Sequence, residues 1–96
     1  MVKVIVQRRV KKLEDAWSLL RQLRIEAIHH PGYISGETLQ QKDDPSTIVT
    51  ISSWTSFESW SSWENSIKRT EMYKKIHPFL LEKPKVTVYE VIGSGK

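Results

Sequence analysis

Residues Ser53–Ser66 read SWTSFESWSSWENS, and three of the chain's four tryptophans, Trp54, Trp60 and Trp63, fall within ten positions of this stretch. The fold turns on it because the periodicity changes inside it. Residues 47–54, TIVTISSW, alternate with the period of two that marks a strand, Ile48 on one side and Val49 and Ile51 on the other. Beyond Trp54, Phe57, Trp60, Trp63 and Ile67 recur at spacings of three, three and four. At 100° per residue they span an arc of about 120°, an apolar stripe fit to lie on a sheet. Thr55 stands where a helix cap belongs, with Glu58 three residues on to reach back to it. The spacing makes Phe57, Trp60 and Ile67 core and leaves Trp54 as wall at the strand's end. Trp63, at the edge of the arc, is expected to border a cavity, with its N–H free for a polar partner.

Outward from this stretch the other elements follow. Residues 2–10, VKVIVQRRV, alternate as a first strand, with Val2, Val4 and Val6 on one side and Ile5 and Gln7 on the other. Residues 13–28 carry Leu13, Ala16, Trp17, Leu20, Leu23, Ala27 and Ile28 at helical spacing. HHPG (29–32) stops that helix, since Pro31 disfavours helical geometry at His30 and Gly32 permits a chain reversal. Residues 33–41 read as a second strand with a bulge at Gly36, and KDDPS (42–46) as the turn into the third strand. The second helical region covers 56–66 and 68–77, Pro78 ends it, and 85–92, KVTVYEVI, form a fourth strand. The order β-α-β-β-α-β predicts an α+β, ferredoxin-like domain over 2–92, with strand order 4-1-3-2, helices on one sheet face and a loose tail at 93–96.

Composition bounds the function. At 96 residues one domain is expected, and such a chain buries roughly 60–65% of its unfolded surface. No cysteine is present, so disulfides, thiolate metal sites and cysteine nucleophiles are excluded. MVKVIVQRRV lacks the apolar run of a signal peptide and no segment is long enough to span a bilayer, so a cytoplasmic protein without a membrane partner is expected. The net charge is +4, but its clusters (8–12, 68–69, 74–75, 83–85) lie near element ends among acidic residues. They read as solvated surface, not as a nucleic-acid footprint. No phosphate-binding glycine loop occurs. Both faces of the sheet carry apolar side chains while helices cover one, so the open face calls for a second copy and a homodimer is expected.

The stretches HHPGYISGETL (29–39), TISSWTSFESWSSWENSIKRTEMY (50–73) and KVTVYEVI (85–92) resemble the antibiotic biosynthesis monooxygenase family, a group of dimeric α/β-barrels. The resemblance implies a pocket between sheet and helices, and in some members oxidation of polycyclic aromatics by dioxygen with no bound cofactor or metal. The substrate, once deprotonated, supplies the electrons. A related branch degrades haem with an asparagine on the first strand and a tryptophan and a histidine from the second helical region. By that resemblance Gln7, Trp63 and His77 are the catalytic candidates, with Gln7 on the helix-facing side.

Three functional readings stand on these residues. The first is a cofactor-independent monooxygenase for a flat aromatic or quinone-like molecule. Next is a haem-binding or haem-degrading enzyme, and the third is a non-enzymatic small-molecule-binding dimer. His77, at a helix end before Pro78, is either a base or ligand or an idle residue favoured by the helix dipole. His29 and His30 read as helix-end residues, adjacent positions being a poor metal pair. Tyr33, Tyr73 and Tyr89 are each eligible to present a hydroxyl to a phenolic substrate, and nothing in the sequence selects one.

Overall fold

A computed structural model of the chain describes residues 1–95. In chain order it has β1 (Val2–Arg9), α1 (Leu13–Ile28), β2 (Tyr33–Gln41), β3 (Asp44–Trp54), α2 (Phe57–Glu64), α3 (Ile67–Ile76), a 3-10 turn (His77–Phe79) and β4 (Lys85–Glu90). The strands form one antiparallel sheet in the order β2-β3-β1-β4. That is the expected 4-1-3-2 arrangement of an α+β, ferredoxin-like fold.

Strand β1 is central, and its alternation sets both faces of the sheet. Val2, Val4, Val6 and, beyond the strand, Val10 are buried. They pack with Leu20 and Leu23 of α1, Trp60 and Trp63 of α2, and Met72 and Ile76 of α3. Lys3, Gln7 and Arg9 are exposed and Ile5 is half-buried on the other face. This corrects the side expected for Gln7, which does not face the helices. The reason is desolvation: turning the odd-numbered side inward would put Lys3 and Arg9 under the helices and expose the valines.

The hairpin is tighter than expected. Gln41 pairs with Asp44, so only Lys42 and Asp43 connect the strands, and β3 begins at Asp44 instead of 47. The Asp44 carboxylate accepts hydrogen bonds from the Ser46 and Thr47 hydroxyls at 2.6 and 2.7 Å, which secures the turn. The irregularities in β2 fall between Tyr33 and Ser35 and between Gln40 and Gln41, not at Gly36. Strand β1 stops at Arg9, with Val10 in an isolated bridge to Leu80, and β4 stops at Glu90. Gly32 takes the positive φ, 92°, that the reversal after α1 requires.

The second helical region departs most from the expected stripe. Ser56, not Thr55, caps α2 and accepts from the Ser59 N–H at 3.1 Å. Ser66 caps α3 and accepts from the Arg69 N–H at 3.2 Å. The break at Asn65–Ser66 restarts the helical phase. Ile67 therefore lies in the first turn of a new helix, 79% exposed, and Phe57 at the start of α2 is 51% exposed. The buried face runs instead from Trp60 and Trp63 to Met72 and Ile76. On α1, Trp17 and Ile28 also lie outside the core. The expected loose tail has no regular element through residue 95, and residue 96 lies outside the described residues. No helix among the described residues is long and apolar enough to cross a membrane.

Trp60→Ala should cost about 3–5 kcal/mol, as for other buried large aromatics, and Phe57→Ala less than about 1 kcal/mol. Denaturant unfolding of both variants checks this, and equal costs would contradict the exposed placing of Phe57 at the first position of α2. A second outcome concerns acid. Hydrogen bonds from the Ser46 and Thr47 side chains hold the Asp44 carboxyl below the ordinary aspartate range. A folded value below the unfolded one stabilises the protein above the unfolded pKa, about 3.9, and that contribution is lost as pH falls through the folded value. Asp44→Asn should therefore flatten the stability curve below about pH 4. Acid unfolding identical to that of the native chain would show that Asp44 takes no part.

Candidate active site

Between the sheet's helix-facing side and the three helices lies a cleft. Its floor comes from Val6 and Arg8 of β1, Gly36, Glu37 and Thr38 of β2, and Thr50 and Ser52 of β3, Glu37 being the one acidic residue of the lining. One wall is α1, through Leu20, Leu23, Arg24 and Ala27. The other is aromatic: Trp54, Trp60 and Trp63, with Tyr33 beside them and Arg69 completing the lining. The cleft is open at its mouth and narrows to an interior of about 50 Å³. A roomier apolar groove, lined by Leu13, Trp17, Leu39 and Ile48, lies at the β2 edge and brings only Glu14 as an ionisable group. The cleft is the better candidate because polar and aromatic groups converge in it.

The aromatic wall is built by edge-to-face packing. Trp54 meets Trp60 at 5.9 Å between centroids and Tyr33 at 5.3 Å, with planes inclined at 64° and 89°. The Trp54 N–H donates to Ser52 Oγ at 2.9 Å. His30 stands behind this wall, 5.6 Å from Trp63 and 6.2 Å from Trp54, with Nε2 3.1 Å from Ser62 Oγ. It sits just past the end of α1, as its helix-end reading has it, and packs against the cluster from there.

Three arginines supply the polar side. Because β1 turns its even positions inward, Arg8 follows the valines into the interior and is 3% exposed. Its Nε donates to Tyr73 Oη at 3.1 Å, its Nη2 bonds the same oxygen, and its Nη1 donates to Thr50 Oγ1 at 3.3 Å. Arg69 stacks over the Tyr73 ring at 4.3 Å and lies 5.6 Å from the Trp60 ring. Burial holds its guanidinium below the ordinary arginine value, and the Arg8 charge acts the same way, against Tyr73 and Glu64. Arg24 Nη2 donates to the Gly36 carbonyl at 2.7 Å. The ion pairs found among the described residues belong to Arg9, with Asp44 and Glu82, so these three arginines have no carboxylate within ion-pair distance.

Of the three residues singled out from sequence, the structure brings only Trp63 to the cleft. Gln7 lies on the opposite face, paired in the ladder with Val49 and Lys85. His77 is exposed at the start of the 3-10 turn. Gln7, Trp63 and His77 therefore line no common cavity, and the residues on which a haem site was carried over are not assembled into one. Nor does Trp63 differ from its neighbours, since Trp54 and Trp60 are equally buried and also line the cleft. Arg8, Arg24 and Arg69 were missed. The signal for Arg8 is present, a charged residue in the valine register of the first strand, but within RRVKK it reads as solvated surface. No group of three or more His, Asp or Glu side chains fit to hold a metal ion occurs among the described residues.

The sequence profile of the antibiotic biosynthesis monooxygenase family matches residues 1–78. No curated protein matches the sequence. Among solved structures, one from Nitrosomonas europaea, assigned by name to the antibiotic biosynthesis monooxygenases, is 20% identical with a TM-score of 0.87, covering 97% of this chain and 100% of that one. SnoaB of Streptomyces nogalater, described as a cofactor-independent oxygenase, is 12% identical with a TM-score of 0.88, covering 97% and 94%. A conserved protein of Methanosarcina mazei is 19% identical with a TM-score of 0.85, covering 92% and 89%. At these identities the likeness is one of fold.

Gly36 controls the floor of the cleft. A Cβ there would lie 2.5 Å from Tyr33 Oη and 3.0 Å from the Ile51 carbonyl oxygen. Gly36→Ala should displace the Tyr33 ring and cost about 1–3 kcal/mol, as overpacking does. Thermal unfolding reads the cost, and an unchanged midpoint would show that the floor yields freely.

Proposed function

Since this chain belongs to the antibiotic biosynthesis monooxygenase family, we propose that it is a cofactor-independent monooxygenase acting on a flat aromatic or quinol-like small molecule in the cleft between sheet and helices. The observation that carries this reading is the convergence of an indole wall and unpaired guanidinium groups on one cleft. Indole faces suit a planar ring, and fixed cations stabilise the anion that forms when such a substrate loses a proton. The fold likeness to SnoaB supports the cofactor-independent form of the reaction. In that form the deprotonated substrate carbon gives its electrons to dioxygen and a C–O bond forms. The resulting hydroperoxide loses water to leave a carbonyl, so one oxygen atom enters the product and the other leaves as water. Trp63 borders the substrate in this reading, whereas Gln7 and His77 are placed away from it.

A homodimer in the cytoplasm is part of the same proposal. Ile5, Val49 and Ile51 are only half-buried on the uncovered sheet face, and Leu39 and Tyr89 are exposed beside them. A second copy related by a two-fold axis would cover this face at no cost in new sequence. Light scattering should then give a mass near twice 11.2 kDa.

Purified protein should consume dioxygen with at least one member of a panel of dihydroxynaphthalenes and hydroxyanthrones, unaffected by a chelator. With ¹⁸O₂, one labelled oxygen should appear in the product. Binding of these compounds without oxygen uptake would favour a ligand-binding dimer over an oxygenase.

A further inference from the structure

We propose that the cleft selects a planar aromatic carboxylate, its ring against the indole wall and its carboxylate between the guanidinium groups of Arg8 and Arg69. The inference deepens the oxygenase reading by naming its substrate class, and it rests on that reading only for the chemistry after binding. Arg8 and Arg69 share one support, the Tyr73 ring, their Cζ atoms 5.5 and 4.3 Å from its centroid. Two like charges are thus held close together, Arg8 buried and Arg69 half-buried, and both line the cleft. Their hydrogen-bond partners are neutral. Arg8 donates to two hydroxyl oxygens, and Arg69 makes one long contact, Nη1 to the Glu64 carbonyl at 3.5 Å.

A buried charge without a counter-ion is unfavourable, and the penalty is relieved by an anion that reaches it. A guanidinium has five N–H donors in a planar fork that fits a carboxylate with two parallel bonds. Most donors of Arg69 are uncommitted. The indole wall beside this pair demands a flat apolar body on the same ligand, which inorganic anions lack. The interior is narrower than a two-ring ligand, so binding requires the lining to move apart, and Arg69, held by ring stacking and one long hydrogen bond, is the cation at the lining with the weakest hydrogen bonding to give up.

The test is a titration of tryptophan fluorescence with 2-naphthoate and with its neutral counterpart 2-naphthamide. The native protein should bind the acid at least roughly tenfold more tightly than the amide, the effect of a charged hydrogen bond. Arg69→Gln should weaken 2-naphthoate binding roughly ten- to a hundredfold and leave 2-naphthamide within roughly twofold, with circular dichroism confirming the fold. Arg69→Lys, which keeps the charge and loses the fork, should recover part of the loss. Arg21→Gln removes an arginine stacked on Trp17 away from the cleft and should change neither affinity. Equal affinity for acid and amide, or an equal loss in Arg21→Gln and Arg69→Gln, overturns the proposal. If acid selectivity fails while a neutral hydroquinone still consumes oxygen, only this inference falls. If arginine-dependent selectivity holds while no hydroquinone consumes oxygen, the anion site stands and the oxygenase reading falls.

Discussion

The parity of β1 is the constraint on which the rest of the molecule depends. This strand is hydrogen-bonded on both sides, to β3 and to β4, so its pleat dictates which residues of both neighbours face the helices. Three valines and Arg8 on one side of it, against Lys3, Gln7 and Arg9 on the other, favour the orientation that buries the valines. That choice carries Ser52 and Trp54 inward beside Val4 and Val2, and it carries Arg8 inward with the valines. It also sends Gln7 outward. The cleft and its chemistry are consequences of which way one short strand turns.

The interior tolerates Arg8 because three of its N–H bonds end on Tyr73 and Thr50. Tyr73 comes from α3, so the hydrogen bonds also tie the third helix to the central strands. Arg24 ties α1 to β2 in the same way through the Gly36 carbonyl. The polar groups that line the cleft therefore also fix the distance between sheet and helices. Gly36 leaves room for the Tyr33 ring, and Tyr33 in turn supports Trp54. Wall and lining are the same residues here, which is why Trp54, Trp60 and Trp63 do not divide into structural and functional members.

Much of this was legible in the sequence. The six segments, their order and the strand arrangement follow from periodicity, and the family resemblance rests on stretches that run through both hairpin strands and the second helical region. Most of the misses originate in phase. Ser66 restarts the helix, and no spacing rule applied across 57–67 detects a restart, so the stripe takes in Ile67, which lies outside the core, while Phe57 is exposed because it opens α2. Strand parity separates two sets of residues, and desolvation, not resemblance, decides which set faces the helices, so Gln7 turns outward. His77 obeys the same logic. Position after a helix specifies an end of the molecule, but not whether the ring turns inward.

A buried guanidinium seldom adds to stability, since an apolar residue of similar volume commonly serves a core at least as well. Arg8, buried, and Arg69, half-buried, stand beside one ring with no carboxylate within ion-pair distance. Groups of this kind gain most from a ligand, because the anion that relieves their repulsion binds the folded chain and not the unfolded one. The same charges would favour the ionised form of a substrate held in the cleft. Binding of an aromatic acid and activation of an aromatic anion are thus two results of one electrostatic arrangement, set by the side on which β1 places its eighth residue.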